Sequence, residues 1–129
     1  MAKHSDLPLS DVKCSYINNF LIGSTVLDVG AGKGYYCRWL DAKNRGLHIC
    51  AIDLQQPAGL PDNVTFVTHN LEQPIPLESD AFNTIFAFDI IEHITDEQAF
   101  LKELLRVCKT NGVLIGSVPH DNDLFLPAY

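Results

Sequence analysis

The chain has 129 residues, 47% of them apolar and 19% charged, the composition of one folded domain with a core and not of a disordered segment. Its formal net charge is −7 and its nine Lys and Arg do not cluster, so a phosphate backbone is repelled and nucleic acid is not the expected partner. No apolar run reaches the length of a membrane span, and the N-terminus, Met-Ala-Lys-His-Ser-Asp, lacks the apolar stretch of a signal peptide.

In chain order, residues 9–22 are expected to hold a short helix with Val12, Tyr16, Ile17 and Phe20 on one face. Thr25 to Val29 reads as a first strand and Tyr35 to Lys43 as a helix that starts on a glycine turn and closes at Asn44-Arg45-Gly46. A second strand, Leu47 to Ile52, leads into Asp53, and Pro57, Gly59 and Pro61 mark a loop. Val64 to Thr68 is the third strand, and Pro74 and Pro76 lie in the connection to a fourth, Thr84 to Phe88, which leads into Asp89. Thr95-Asp96-Glu97-Gln98 matches a capping box, followed by a helical stripe of Phe100, Leu101, Leu104, Leu105 and Cys108. Asn111-Gly112 is expected to end that helix before a fifth strand, Val113 to Val118, and Pro119.

Aliphatic strands alternating with helices or long connections indicate an α/β protein with a parallel sheet covered on both faces. Such sheets bind ligands at the carboxyl ends of their strands, where strand order reverses. Asp28, Asp53, Asn70, Asp89 and His120 all fall at or just past predicted strand ends. The four cysteines (Cys14, Cys37, Cys50, Cys108) form no CxxC pair and no zinc spacing. They read as reduced thiols in a cytoplasmic protein.

The run Val26-Leu27-Asp28-Val29-Gly30-Ala31-Gly32-Lys33-Gly34 places three glycines on the turn after the first strand. Backbone N–H groups left exposed there, at a helix N-terminus, favour a carboxylate or a phosphate. Asp53 is placed to accept both hydroxyl protons of a ribose, and Asn70-Leu71 offers an amide and a backbone N–H to the edge of an adenine. Together these describe an adenosine with a carboxylate-bearing tail. The dinucleotide fingerprint G-x-G-x-x-G would need glycine at position 35, which is Tyr35, and Lys33-Gly34 lacks the spacing and hydroxyl of a phosphate loop.

The same run resembles motif I of the class I S-adenosylmethionine-dependent methyltransferases. The similarity extends through Ala51-Ile52-Asp53, residues 76–83, Asp89-Ile90-Ile91-Glu92-His93-Ile94 and residues 111–119, so that residues 24–119 are covered. It implies a Rossmann-like, doubly wound parallel sheet of five strands in the order 3-2-1-4-5, with S-adenosylmethionine as cofactor and S-adenosylhomocysteine as product. Asp28, Gly30, Ala31, Gly32 and Gly34 would hold the methionine part, Asp53 the ribose, and Asn70 and Leu71 the adenine; Leu54 and Asp89 also count among the cofactor-binding residues. The family more often has Asp at Asn70 and Asn83, and an amide keeps most of the hydrogen bonding at position 70.

The reaction implied is a direct in-line transfer of a methyl group to a small-molecule acceptor, with alignment supplied by the protein. His93 and His120 are the candidate bases for a hydroxyl nucleophile. For His93 the alternative is a helix-start residue bonded to its own loop. No metal is assigned, although Asp89, Glu92, His93 and His120 form an O/N set of the kind that holds Mg²⁺ or Mn²⁺ in some relatives. Tyr36 and Trp39 read as core residues more than as cofactor contacts. Residues 1–129 are expected to be one domain: a helix at 9–22, a core at 24–119 and a tail at 120–129. The family continues past strand five with a helix and two antiparallel strands, so this sheet is expected to have an open edge, covered in a homodimer or by a partner on strand five. A non-catalytic S-adenosylmethionine-binding module stays open as an alternative, and a nucleotide-dependent oxidoreductase is disfavoured by Tyr35.

Overall fold

The computed structural model describes residues 9–43 and 46–118. Five strands, β1 (Thr25–Val29), β2 (His48–Asp53), β3 (Thr65–Thr68), β4 (Phe82–Phe88) and β5 (Cys108–Ser117), form one sheet in the order β3-β2-β1-β4-β5. Every described pairing is parallel, as the aliphatic strands and intervening helices require. The chain winds outward from β1 to β3, then crosses back to β4 on the other side of β1. The reversal therefore falls between β1 and β4, and the register brings Val29 beside Ile52, and Phe88 beside Ser117, at one end of the sheet.

Side-chain parity sorts the core into two layers. Leu27, Val29, Cys50, Ile52, Ile85 and Leu114 face helix α3 (Glu97–Val107), which buries Phe100, Leu104 and Val107 against them. Val26, Ile49, Ala51, Phe86, Phe88 and Ile115 face the other way, under helices α1 (Asp11–Phe20) and α2 (Tyr35–Lys43). A short 3₁₀ turn, Ile91–His93, links β4 to the segment before α3.

Several boundaries and faces differ from the sequence expectation. Ser10 accepts a hydrogen bond from the Lys13 N–H and so starts α1 two residues late. On that helix Ile17 is fully buried, but Val12 faces solvent and Lys13 does not, because Lys13 has a carboxylate to reach. The α3 cap is Asp96, whose Oδ1 accepts from the Ala99 N–H; Thr95 instead gives its N–H and hydroxyl to Glu72, so the expected Thr95–Gln98 box does not form. Leu101 and Leu105, expected in the stripe, are exposed, and Val107 takes their place in the core. The helix ends at Val107 and passes directly into β5, whose Asn111 has φ +66° within a register shift against β4. Asn83 sits at the opposite end of the sheet from the glycine turn. Its Oδ1 accepts from the Ser24 and Thr25 N–H groups and the Thr25 hydroxyl, a role an amide oxygen fills as well as a carboxylate. The expected helix closure at Asn44-Arg45, and His120 with the rest of the tail, lie outside the described residues.

Candidate functional site

The glycine turn is fastened to the end of β2 by its own amides. The Gly30 and Ala31 N–H groups donate to the Ile52 carbonyl at 2.9 and 3.2 Å, Gly34 donates to the Ala31 carbonyl, and Gly32 donates to Asp53 Oδ2 at 2.8 Å. This corrects the expectation that these amides stand open for an anion: four of them already have acceptors. The glycines are needed for backbone shape and for room taken by protein. Gly30 has φ +74° and a Cβ there would lie 2.9 Å from Ile90; Gly34 has φ +79° and its Cβ would lie 2.7 Å from Leu60. The turn is thus clamped between β2, the residue after Asp89, and the β2–β3 connection.

Asp53, at the end of β2, is buried and accepts two backbone N–H groups, from Gly32 to Oδ2 and from Leu54 to Oδ1 at 2.7 Å. A carboxylate offers about four acceptor positions, so capacity for a diol is left over. It borders a cavity of about 580 Å³, a volume that suits a nucleoside-sized ligand, lined also by Gly32, Lys33, Tyr35, Arg38 and Leu54. Leu54 is exposed beside the carboxylate, an apolar surface for a ring. Arg38 closes the outer wall: its guanidinium lies over the Tyr35 ring and donates to the Lys33 carbonyl at 2.7 Å.

Asn70 and Leu71 follow β3. The Asn70 side-chain oxygen accepts from the Glu72 N–H at 2.9 Å, which leaves its amide donors and one lone pair for a ligand, and the Leu71 side chain belongs to the core.

Asp28 lies on the α2 side of β1, where the Cys37 thiol donates to Oδ2 at 3.0 Å. Burial pushes its carboxyl up to about 7, the thiol hydrogen bond pulls it back, and the charge of Asp53 raises it further. Burial and the same carboxylate push the Cys37 thiol well above its ordinary range. Asp89 has φ +54° and is 2% exposed; its Oδ2 meets Lys13 Nζ at 2.5 Å and its Oδ1 accepts from the Ser117 hydroxyl at 3.2 Å. Tyr36 joins these acids: it packs on Phe86 and Phe88 and accepts the Ser10 N–H on its hydroxyl. Burial, opposed by that bond, then the charges of Asp89 and Asp28, raise its phenol to about 12.

The structure thus brings together Asp28, Gly30, Ala31, Gly32, Gly34, Asp53, Leu54 and Asp89, with Asn70 and Leu71 at the end of the neighbouring strand. His93 is on the 3₁₀ turn, with its side chain 44% exposed and its Nε2 4.0 Å from Glu92. Asp89 is engaged by Lys13 and Ser117 and not by Glu92 or His93. Among the described residues no group of three or more His, Cys, Asp or Glu could hold a metal ion. Lys13, Ser117 and Cys37 escaped the sequence reading. Only the apolar spacing of the first helix carried a hint, since Lys13 stands next to its buried face.

A buried carboxylate with spare acceptor capacity, hydrogen-bonded to a glycine turn one strand away at the carboxyl end of a parallel sheet, is the site arrangement of a doubly wound α/β protein. Residues 27–116 match the family model of a methyltransferase domain, and the chain belongs to that family, whose cofactor is S-adenosylmethionine. It is 26% identical over 121 residues to the sarcosine/dimethylglycine N-methyltransferase of Aphanothece halophytica, covering 85% of this chain and 43% of that protein. A crystal structure of a SAM-dependent methyltransferase from Aquifex aeolicus superposes with a TM-score of 0.72 at 28% identity, covering 93% of this chain and 72% of the other. The cyclase SpnF shares the fold alone, with a TM-score of 0.71 at 22% identity over 83% of this chain and 44% of its own. The chain spans between 31% and 43% of the length of the six curated relatives compared. Among the described residues no helix is long and apolar enough to cross a membrane.

Proposed function

We propose that the protein binds S-adenosylmethionine and directs its methyl group to a small-molecule acceptor. The observation that carries this reading is Asp53: a buried carboxylate with acceptor capacity to spare, joined by hydrogen bond to the glycine turn and bordering the cavity. The residues fit the cofactor. Asp53 would hold the ribose hydroxyls, Leu54 and the Asn70 amide donors the adenine, and Asp89 would face the ammonium of the amino-acid end, with Asp28 behind the turn on the α2 side. When bound, the cofactor supplies a sulfonium methyl that is already electrophilic. The chain's own part is alignment: the clamped glycine turn gives the site a fixed floor, and the buried Asp89 carboxylate favours a cation over a neutral group. His93 would take a proton from a hydroxyl acceptor, and His120, outside the described residues, is the second candidate. A small-molecule acceptor accords with the acidic surface and with the N-methyltransferase relative. The four free thiols favour a reducing, cytoplasmic setting, and a second copy or a partner would cover the outer edge of β5.

Isothermal titration with S-adenosylmethionine and S-adenosylhomocysteine tests the reading. The wild type binds both, and Asp53→Ala weakens binding by about ten- to a hundred-fold, as expected for loss of charge-assisted hydrogen bonds. Unchanged affinity in that variant sinks the assignment. Release of S-adenosylhomocysteine with a panel of amine and hydroxyl acceptors then separates an enzyme from a module that only binds.

A further inference from the structure

The Lys13–Asp89 pair joins residues 76 positions apart and is shielded from water: Lys13 is 9% exposed and Asp89 2%. A buried ion pair adds little net stability compared with apolar side chains of the same volume, so its presence at a ligand site calls for another role. Asp89 stands at the switch point, and the next residue, Ile90, presses on Gly30. The Lys13 ammonium lies 5.8 Å from the Phe88 ring centroid, a face that favours any cation in this position. The Lys13 ammonium, on a flexible four-carbon stem, is a primary ammonium like the α-ammonium at the cofactor's amino-acid end.

The two ends of α1 are held unequally. Its C-terminal end is tied to the far end of β4, where Thr84 Oγ1 accepts the Ile22 N–H and donates to the Ile22 carbonyl, at 3.0 and 2.8 Å. Among the described residues, the polar ties from its N-terminal end to the site are the Lys13 ion pair and the neutral Ser10 N–H to Tyr36 bond, beside the packing of Cys14 on the core.

Resting on the cofactor reading above, we propose that Lys13 is a built-in stand-in for the cofactor's ammonium: it neutralises Asp89 in the empty protein and yields that carboxylate on binding, which frees the N-terminal end of α1. Lys13 is then a competitor of the cofactor and α1 a cover released by it. Ser117 stays on the other carboxylate oxygen and keeps Asp89 aimed at the site throughout.

The test compares S-adenosylhomocysteine, which carries the ammonium, with methylthioadenosine, which lacks the amino-acid tail, by titration calorimetry. Removing the competitor in Lys13→Met tightens S-adenosylhomocysteine binding by about ten-fold and leaves methylthioadenosine unchanged. Lys13→Met also melts lower than wild type without ligand, and saturating S-adenosylhomocysteine closes most of that gap. Lys13→Arg keeps the charge, pairs more firmly with a carboxylate and weakens S-adenosylhomocysteine binding, which preserves the test if the Met variant does not fold. Equal or weaker S-adenosylhomocysteine binding in folded Lys13→Met overturns the stand-in role, as does an equal gain for methylthioadenosine or tighter binding in Lys13→Arg. A wild type that binds neither ligand removes the cofactor reading itself and this inference with it.

Discussion

Asp28 shares its strand face with Val26, opposite Leu27 and Val29, so β1 delivers its carboxyl beneath α2 and not into solvent. Burial there dominates, and its carboxyl is raised to about 7 against the ordinary 3.8. The folded protein therefore holds this proton more tightly than the unfolded chain does. The stability tied to it is complete below pH 3.8 and is lost as pH rises to about 7. The loss is on the order of 4 kcal/mol for a shift of this size. Asp28→Asn keeps the shape and cannot ionise. Denaturant unfolding of the two proteins between pH 4 and 8 should show the wild type falling relative to the variant across this window. Parallel curves would mean that Asp28 is charged throughout. The position of Asp28 at a strand end was legible in the sequence, but its thiol partner was not. Cys37 lies nine residues on, and only the packing of α2 on β1 brings it within 3.0 Å.

At the scale of elements, β1 and α2 ran as expected, with the same bounds, because each carries an unambiguous local signal: an aliphatic run into glycines, and an apolar stripe starting at a turn. The sheet order followed from the family resemblance and holds. The misreadings came where two local rules competed. Thr95 and Asp96 are both good caps, and tertiary contact decided between them: Glu72, at the end of the β3 segment, captures Thr95, which leaves Asp96 to cap α3. Asp96→Ala should therefore cost about 1 kcal/mol in denaturant unfolding. Gln98→Ala should stay within about 0.5 kcal/mol, as for a surface site without a partner. The reverse ranking would restore the capping box. The glycine turn was found for a reason only partly right. The sequence shows that side chains are absent, not what occupies their place, and here Ile90 and Leu60 occupy it. Lys13 was hidden by a similar limit, since periodicity marks a lysine as solvent-facing unless a buried acid from a distant segment claims it.

For the whole molecule, the sheet ends on β5, whose outer side pairs with no described strand. A ten-residue edge of this kind presents unpaired N–H and C=O groups, a template for another chain. A register shift interrupts its first half near Asn111, but Val113 to Ser117 continues in regular pairing with β4. Beside it, α3 exposes Leu101 and Leu105, one turn apart on the same face and 39% and 52% exposed. Apolar helix surface flanking a strand edge unpaired among the described residues is the pattern of an interface, and that edge lies on the far side of β5 from the glycine turn and Asp53. Size-exclusion chromatography with light scattering is expected to give a mass above the 14.3 kDa of one chain at micromolar concentration. Leu101→Glu with Leu105→Glu should return it to a monomer without loss of helical signal, because neither leucine contributes to the core. S-adenosylhomocysteine affinity should be untouched in that double variant, since the edge and the ligand cavity share no residue. A wild type that runs as a clean monomer under these conditions would show that neither the edge nor the two leucines draw chains together.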